Sequence, residues 1–194
     1  NKNIAIGNYA LDANMTHNTN NIAIGHNALT NLAGSGAIYN TFIGSDAGLS
    51  VTNADYNTGV GVGVMGEASG NAITGLYNSG FGALALYNLA GAASSNTAIG
   101  YKAGFESTTA SGSVFLGFTA GETVTTGNQN IGIGLAAMNG GTTTGDKNIA
   151  IGVSAGNALT SGKENVFIGG NAGGLSQTGI YNIAIGTDAF DAED

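Results

Sequence analysis

The chain has 194 residues, only 8% of them charged, and four lysines against twelve acids give a net charge of −8 with no arginine, cysteine, proline or tryptophan. That balance repels phosphate backbones and offers no basic cluster to track one, so no nucleic-acid partner is expected. No apolar run reaches the ~18 residues of a membrane span, and no basic stretch leads into an apolar one, so neither membrane insertion by this segment nor a signal peptide is read.

From the first residues onward one phrase, close to Asn-Ile-Ala-Ile-Gly-x-x-Ala, repeats eleven times. The copies begin at Asn3, Asn21, Asn40, Asn57, Asn78, Asn96, Ser113, Asn130, Asn148, Asn165 and Asn182, at spacings of 17 to 21 residues. A period this short leaves no room for a helical hairpin, so each copy is one coil of a solenoid. With the Asn as position 0, residues +1 to +3 form a short extended strand, and +4 is always glycine: Gly7, Gly25, Gly44, Gly61, Gly82, Gly100, Gly117, Gly134, Gly152, Gly169 and Gly186. These glycines end the strand, either through a conformation closed to other residues or through close approach to a neighbour. Position +7 is alanine except for Val64, and a large apolar residue follows within four positions, read as a weaker second strand. A glycine three residues before the next copy, as in Gly75, Gly127, Gly145, Gly162 and Gly179, reads as a closing turn.

Along the strand, +1 and +3 (Ile, Val, Leu, Phe, Thr or Ser) share one face by period-two alternation, while +2 is Ala, Gly or Phe. The expectation is an all-β, parallel β-roll or β-helix solenoid of about eleven coils spanning residues 1–194, a single repetitive segment of a longer protein. The Asn residues then form a ladder up one edge, from Asn3, Asn21, Asn40, Asn57, Asn78 and Asn96 through Asn130, Asn148 and Asn165 to Asn182. Three or four modest side chains per coil leave such a thin roll little interior of its own to set against the entropy cost of ordering its residues. Burial of a second surface against other chains is therefore expected, and the small +2 row is read as that surface.

The runs Asn96-Thr-Ala-Ile-Gly-Tyr-Lys-Ala-Gly104, Ser113-Val-Phe-Leu-Gly-Phe-Thr-Ala-Gly121 and Asn148-Ile-Ala-Ile-Gly-Val-Ser-Ala-Gly156 resemble the head repeats of trimeric autotransporter adhesins. They look still more like the Thr-Thr-Gly-punctuated repeats of phage tail fibres. The resemblance runs from Asn3 to about Ala192, although the coils here are three or four residues longer than in the adhesin heads. It implies a side-by-side homotrimer of parallel β-rolls outside the cell, on a bacterial surface or a virion tail, giving multivalent attachment. An ice-binding solenoid is the alternative, weakened because position +1 has only Thr41, Thr58 and Thr97.

No cofactor, metal or enzymatic activity is expected. Gly61-Val-Gly-Val-Met-Gly66 matches a dinucleotide fingerprint in letters only, since Glu67 to Gly75 makes a poor helix. His17 and His26, with Asp12 and Asp46 in neighbouring coils, read as solvated loop residues more readily than as a metal site. Asn14-Met-Thr16 is a lone glycosylation sequon. Lys102 is expected to be replaceable by alanine almost silently. The sharpest irregularity is aromatic: Tyr39, Tyr56 and Tyr77 occupy position −1 in successive coils, with Tyr181 repeating the placement. Stacked packing is the plain reading of this ladder, and a strip for cell-surface glycan or polysaccharide is the sharper one.

Overall fold

The computed structural model describes residues 2–13, 17–33, 36–66 and 72–191. It is an all-β solenoid whose eleven three-residue strands form one parallel sheet in sequence order. They are β1 (Ile4–Ile6), β2 (Ile22–Ile24), β3 (Thr41–Ile43), β4 (Thr58–Val60), β5 (Ser79–Phe81), β6 (Thr97–Ile99), β7 (Val114–Leu116), β8 (Ile131–Ile133), β9 (Ile149–Ile151), β10 (Val166–Ile168) and β11 (Ile183–Ile185). Equivalent positions pair directly, Ile4 with Ile22 and Ala98 with Phe115, so the repeat register of the sequence is the register of the sheet.

The Asn row is fully buried from Asn21 to Asn165 and half-buried at its ends, Asn3 and Asn182. Asn78 uses its full hydrogen-bonding capacity: Nδ2 donates to Asn57 Oδ1 (3.1 Å) and to the Ala93 carbonyl (2.9 Å), while Oδ1 accepts from both nitrogens of Asn96. The side chain thus joins one coil to its neighbours and also spans its own coil. Asn21, Asn40, Asn57, Asn148 and Asn165 repeat this pattern, and Asn3 and Asn182 terminate it. Asn96 and Asn130 keep their own cross-coil bonds, to the carbonyls of Ala110 and Gly145, although Ser113 interrupts the row between them. A buried amide with every donor and acceptor occupied avoids the desolvation penalty that an apolar interior would otherwise exact.

Both reasons advanced for the +4 glycines hold together. Gly7 through Gly186 adopt φ between +129° and +141°. A Cβ on Gly100 would also lie against the carbonyl of Gly117 one coil on. The glycines three residues before each copy have a different role from the one expected. They are absent from the positive-φ residues, and a Cβ on Gly75, Gly145 or Gly162 would strike the carbonyl of the next coil. Close stacking fixes these positions, and alanine (Ala37, Ala54, Ala93, Ala110) fills them elsewhere, all buried.

Opposite the sheet there is no continuous second strand among the described residues, only isolated parallel bridges such as Val51 to Ile73 and Val124 to Thr143. The reason is backbone geometry. Positions +6 and +8 lie in the left-handed region, as in Lys102 (φ 53°), Leu29 (φ 51°) and Met138 (φ 55°), so no extended run can form. Coil-to-coil bonds, such as Leu29 N to the Ala47 carbonyl at 3.0 Å, hold these residues there.

The sidedness of the sheet reverses the expectation. From the second coil on the +2 row points inward: Ala23, Phe42, Ala98, Phe115, Ala150 and Phe167 are all fully buried, together with the +7 alanines from Ala28 to Ala172 and the +8 residues Leu29, Met65, Leu86 and Met138, whereas Ala5 in the first coil is exposed. In six coils bulk is exchanged across the roll. Where +2 is Phe, +8 of the same coil is Gly (Phe42 with Gly48, Phe115 with Gly121, Phe167 with Gly173); where +2 is Gly, +8 is Met or Leu (Gly59 with Met65, Gly80 with Leu86, Gly132 with Met138). A Cβ on Gly48 would come within 2.7 Å of the Phe42 ring, and one on Gly173 within 2.6 Å of Phe167. In the Phe coils the nearby Leu49 and Leu175 therefore lie outside the core, as does Phe105 in the coil that packs beneath Phe115.

Candidate functional site

Turning +2 inward forces +1 and +3 outward. The outer face of the sheet carries an apolar residue at +3 on every rung, from Ile6 (58% exposed) through Phe81, Ile99 and Leu116 to Ile185 (68%). Beyond the glycine, position +5 adds Val62, Tyr101, Phe118, Leu135 and Val153, all exposed. At +1, Ile and Val flank a run of four hydroxyls, Thr41, Thr58, Ser79 and Thr97. No charged residue occurs in the +1 or +3 rows. Ten steps of about 4.8 Å make this face about 48 Å long. Isolated exposed apolar side chains are ordinary, whereas a continuous stripe of this length marks a contact surface. Alternation alone did not reveal it, because it separates two faces without naming the inner one. The pairing of Phe at +2 with Gly at +8 is the sequence signal that names it, since such compensation arises only across a shared interior.

Position −1 borders that face and is left-handed in every coil from Asn20 to Tyr181. Tyr39, Tyr56 and Tyr77 stack in succession, with ring centroids 5.2 and 5.3 Å apart and planes within 18° of parallel. Their flat faces are therefore spent on one another, and ring edges and hydroxyls meet solvent; each ring is about half exposed. Only the outer faces of Tyr39 and Tyr77 are left open by the stack. In Tyr181's row the preceding rung carries Glu164, so the arrangement does not recur there.

On the far side of the glycine row, Tyr101 stacks on Phe118 and Tyr87 on Phe105. Lys102 lies 4.9 Å from the Phe105 ring centre and 3.0 Å from Glu122 Oε1. Its hydrogen bond to Glu122, followed by the charge of that carboxylate, raises the pKa above the ordinary 10.5. Lys102 is thus tied to its neighbours, because coil stacking brings +6 of one rung beside +9 of the next.

His26 Nδ1 stands 3.9 Å from Asp46 Oδ1, which accepts from Asn27 Nδ2 while Asp46 Oδ2 accepts from Ser45 Oγ, and His17 is exposed. Among the described residues no three His, Cys, Asp or Glu side chains converge to hold a metal. Gly61 is the +4 glycine of its coil, Gly63 and Met65 follow in left-handed turns, and Glu67 to Asn71 lie outside the described residues, as does Asn14-Met-Thr16. No helix among the described residues is long and apolar enough to cross a membrane.

Comparison of the chain with protein-family models, curated proteins and solved structures finds no match to any of them. Functional inference therefore rests on the outer face, the tyrosine row and the polar rows beside them.

Proposed function

We propose that this chain is a rigid segment of a homotrimeric fibre outside the cell, a bacterial surface adhesin or a phage tail fibre, that gives multivalent attachment. The observation that carries this is the uncharged apolar stripe at +1, +3 and +5. Water-exposed Ile, Val, Leu and Phe on every rung gain most by lying against an equally apolar, equally straight surface of the same pitch. A second copy of this chain has such a surface by construction. The number three comes from the resemblance to adhesin heads and tail fibres. Identical parallel rods in lateral contact would repeat each weak binding site at fixed spacing, which raises avidity without a deep pocket. The hydroxyls at +1 occupy four rungs against seven of Ile or Val, which favours protein contact over ice.

Sedimentation equilibrium tests the reading. At micromolar concentration the mass is expected near three times 19.0 kDa. Ile99→Asp with Ile133→Asp, both outside the core, should leave the circular dichroism spectrum of the coil intact and release monomer. A stable wild-type monomer overturns the trimer.

A further inference from the structure

The −1 row that carries the tyrosines changes character after Tyr77: the next rungs hold Ser95 and Gly112, then Gln129 and Lys147. The loss of bulk opens a trough of about 620 Å³ along the same edge. Its floor is the adjoining −2 row, which is chained by side-chain acceptors. Ser94 N donates to Ser111 Oγ (3.1 Å), Ser111 N to Asn128 Oδ1 (3.0 Å), and Asn128 N to Asp146 Oδ1 (2.7 Å). These bonds, with Asn128 Nδ2 also donating to Asp146 Oδ1 at 3.2 Å, fix the side chains yet leave hydrogen-bonding capacity unspent: the Ser111 hydroxyl proton, the second Asn128 amide hydrogen and Asp146 Oδ2. The Gln129 amide is exposed and takes part in none of the hydrogen bonds of the described fold.

We propose that this trough binds a neutral di- or trisaccharide, with its floor of Ser111, Asn128 and Asp146 and its wall of Gln129 and Lys147 meeting the hydroxyls. Three steps of about 4.8 Å from Ser94 to Asp146 give a trough floor about 14 Å long. Planar amides and a carboxylate side by side suit adjacent hydroxyls, each of which both donates and accepts. A phosphorylated ligand would meet one cation in the trough, Lys147, which is already paired with Glu164 at 3.8 Å, and would face Asp146 on a chain of net charge −8. An added peptide strand finds no free edge, because the amides of Ser95, Gly112, Gln129 and Lys147 already donate to the carbonyls of Leu76, Ser94, Ser111 and Asn128, each at 2.9 Å. The inference rests on reading the chain as an adhesive segment, but the site lies within one chain and is tested separately from assembly.

The structure supplies an unusually direct test. Tyrosine is already tolerated at −1 with φ of 58–62°, and Ser95 (φ 61°) and Gly112 (φ 69°) have nearly the same backbone. Ser95→Tyr with Gly112→Tyr should therefore prolong the stack from Tyr77 and fill the trough without unfolding the coil. On an array of neutral di- to tetrasaccharides, the wild-type chain is expected to bind, and the filled variant to lose at least tenfold in affinity at unchanged sedimentation mass. Gln129→Ala should weaken binding severalfold, and Tyr39→Ala should leave it unchanged. The proposal is overturned if the wild type binds nothing on the array, if the filled or Gln129 variant binds as the wild type does, or if Tyr39→Ala abolishes binding and so moves the site onto the ladder. Loss of trimer with retained saccharide binding would count against the assembly alone.

Discussion

Ser113 is the one break in the row of buried asparagines. It keeps the main-chain half of the ladder, accepting from Asn130 N at 3.2 Å and donating its own N–H to Asn96 Oδ1 at 3.0 Å. It has no amide to span its coil, as Asn96 does to the Ala110 carbonyl at 2.8 Å. Ser113→Asn should restore that bond and raise stability by about 1 kcal/mol, seen as a higher thermal midpoint. A lower midpoint would mean that the rung has closed around the smaller side chain. Lys102 makes a prediction in pH. Its pKa is raised in the folded chain, so the Glu122 pair contributes in full below 10.5 and is lost as pH climbs through the raised value. The midpoint difference between wild type and Lys102→Ala should be small, constant at neutral pH, and vanish at strongly alkaline pH. A difference that persists there would assign the effect to packing on Phe105.

Within a coil, the exchange of bulk between +2 and +8 makes the two walls of the roll one packing unit. Phe115→Ala removes a fully buried ring and should cost about 3–5 kcal/mol. Gly121→Met alone should also destabilise, by about 1–3 kcal/mol, because its Cβ would sit on that ring. Combined, the two changes recreate the arrangement of Gly132 with Met138 closely enough that the double variant should be more stable than Phe115→Ala alone. Met138 (φ 55°) already shows that methionine accepts the backbone of Gly121 (φ 62°). Chemical denaturation of the three variants measures the coupling, and simple additivity would show that the walls relax independently.

For the whole molecule, every strand contacts only its sequence neighbours, and stability is then close to a sum of coil and interface terms. Deleting residues 97–113 removes one complete coil and places Asn96 directly before Val114, so the Asn ladder and sheet register continue. This shortened chain should keep its β-type circular dichroism and a cooperative thermal transition. Deleting eight residues from the same coil should destroy both locally, because the glycine and asparagine rows would fall out of line. Equal tolerance of the two deletions would deny that coil register organises the fold.

The number of coils, the strand positions, the parallel register, the Asn ladder and the +4 glycines were all legible in the sequence. Each depends on recurrence along the chain, and stacking converts recurrence into spatial rows. The left-handed turns at −1, +6 and +8 were not legible, since glycine recurs only at +8, and there alternates with Leu and Met, while Tyr and Lys stand at −1 and +6, and the bonds that hold these residues come from neighbouring coils. Nor was the inner face of the sheet. Strand alternation is symmetric between inside and outside, and hydrophobicity favoured the Ile pair at +1 and +3. The roll is so thin that its walls meet only through Ala, Gly or a single Phe, so the tertiary structure turned the larger side chains outward. That one decision of interior width created the apolar stripe and, at its border where the tyrosines stop, the polar trough.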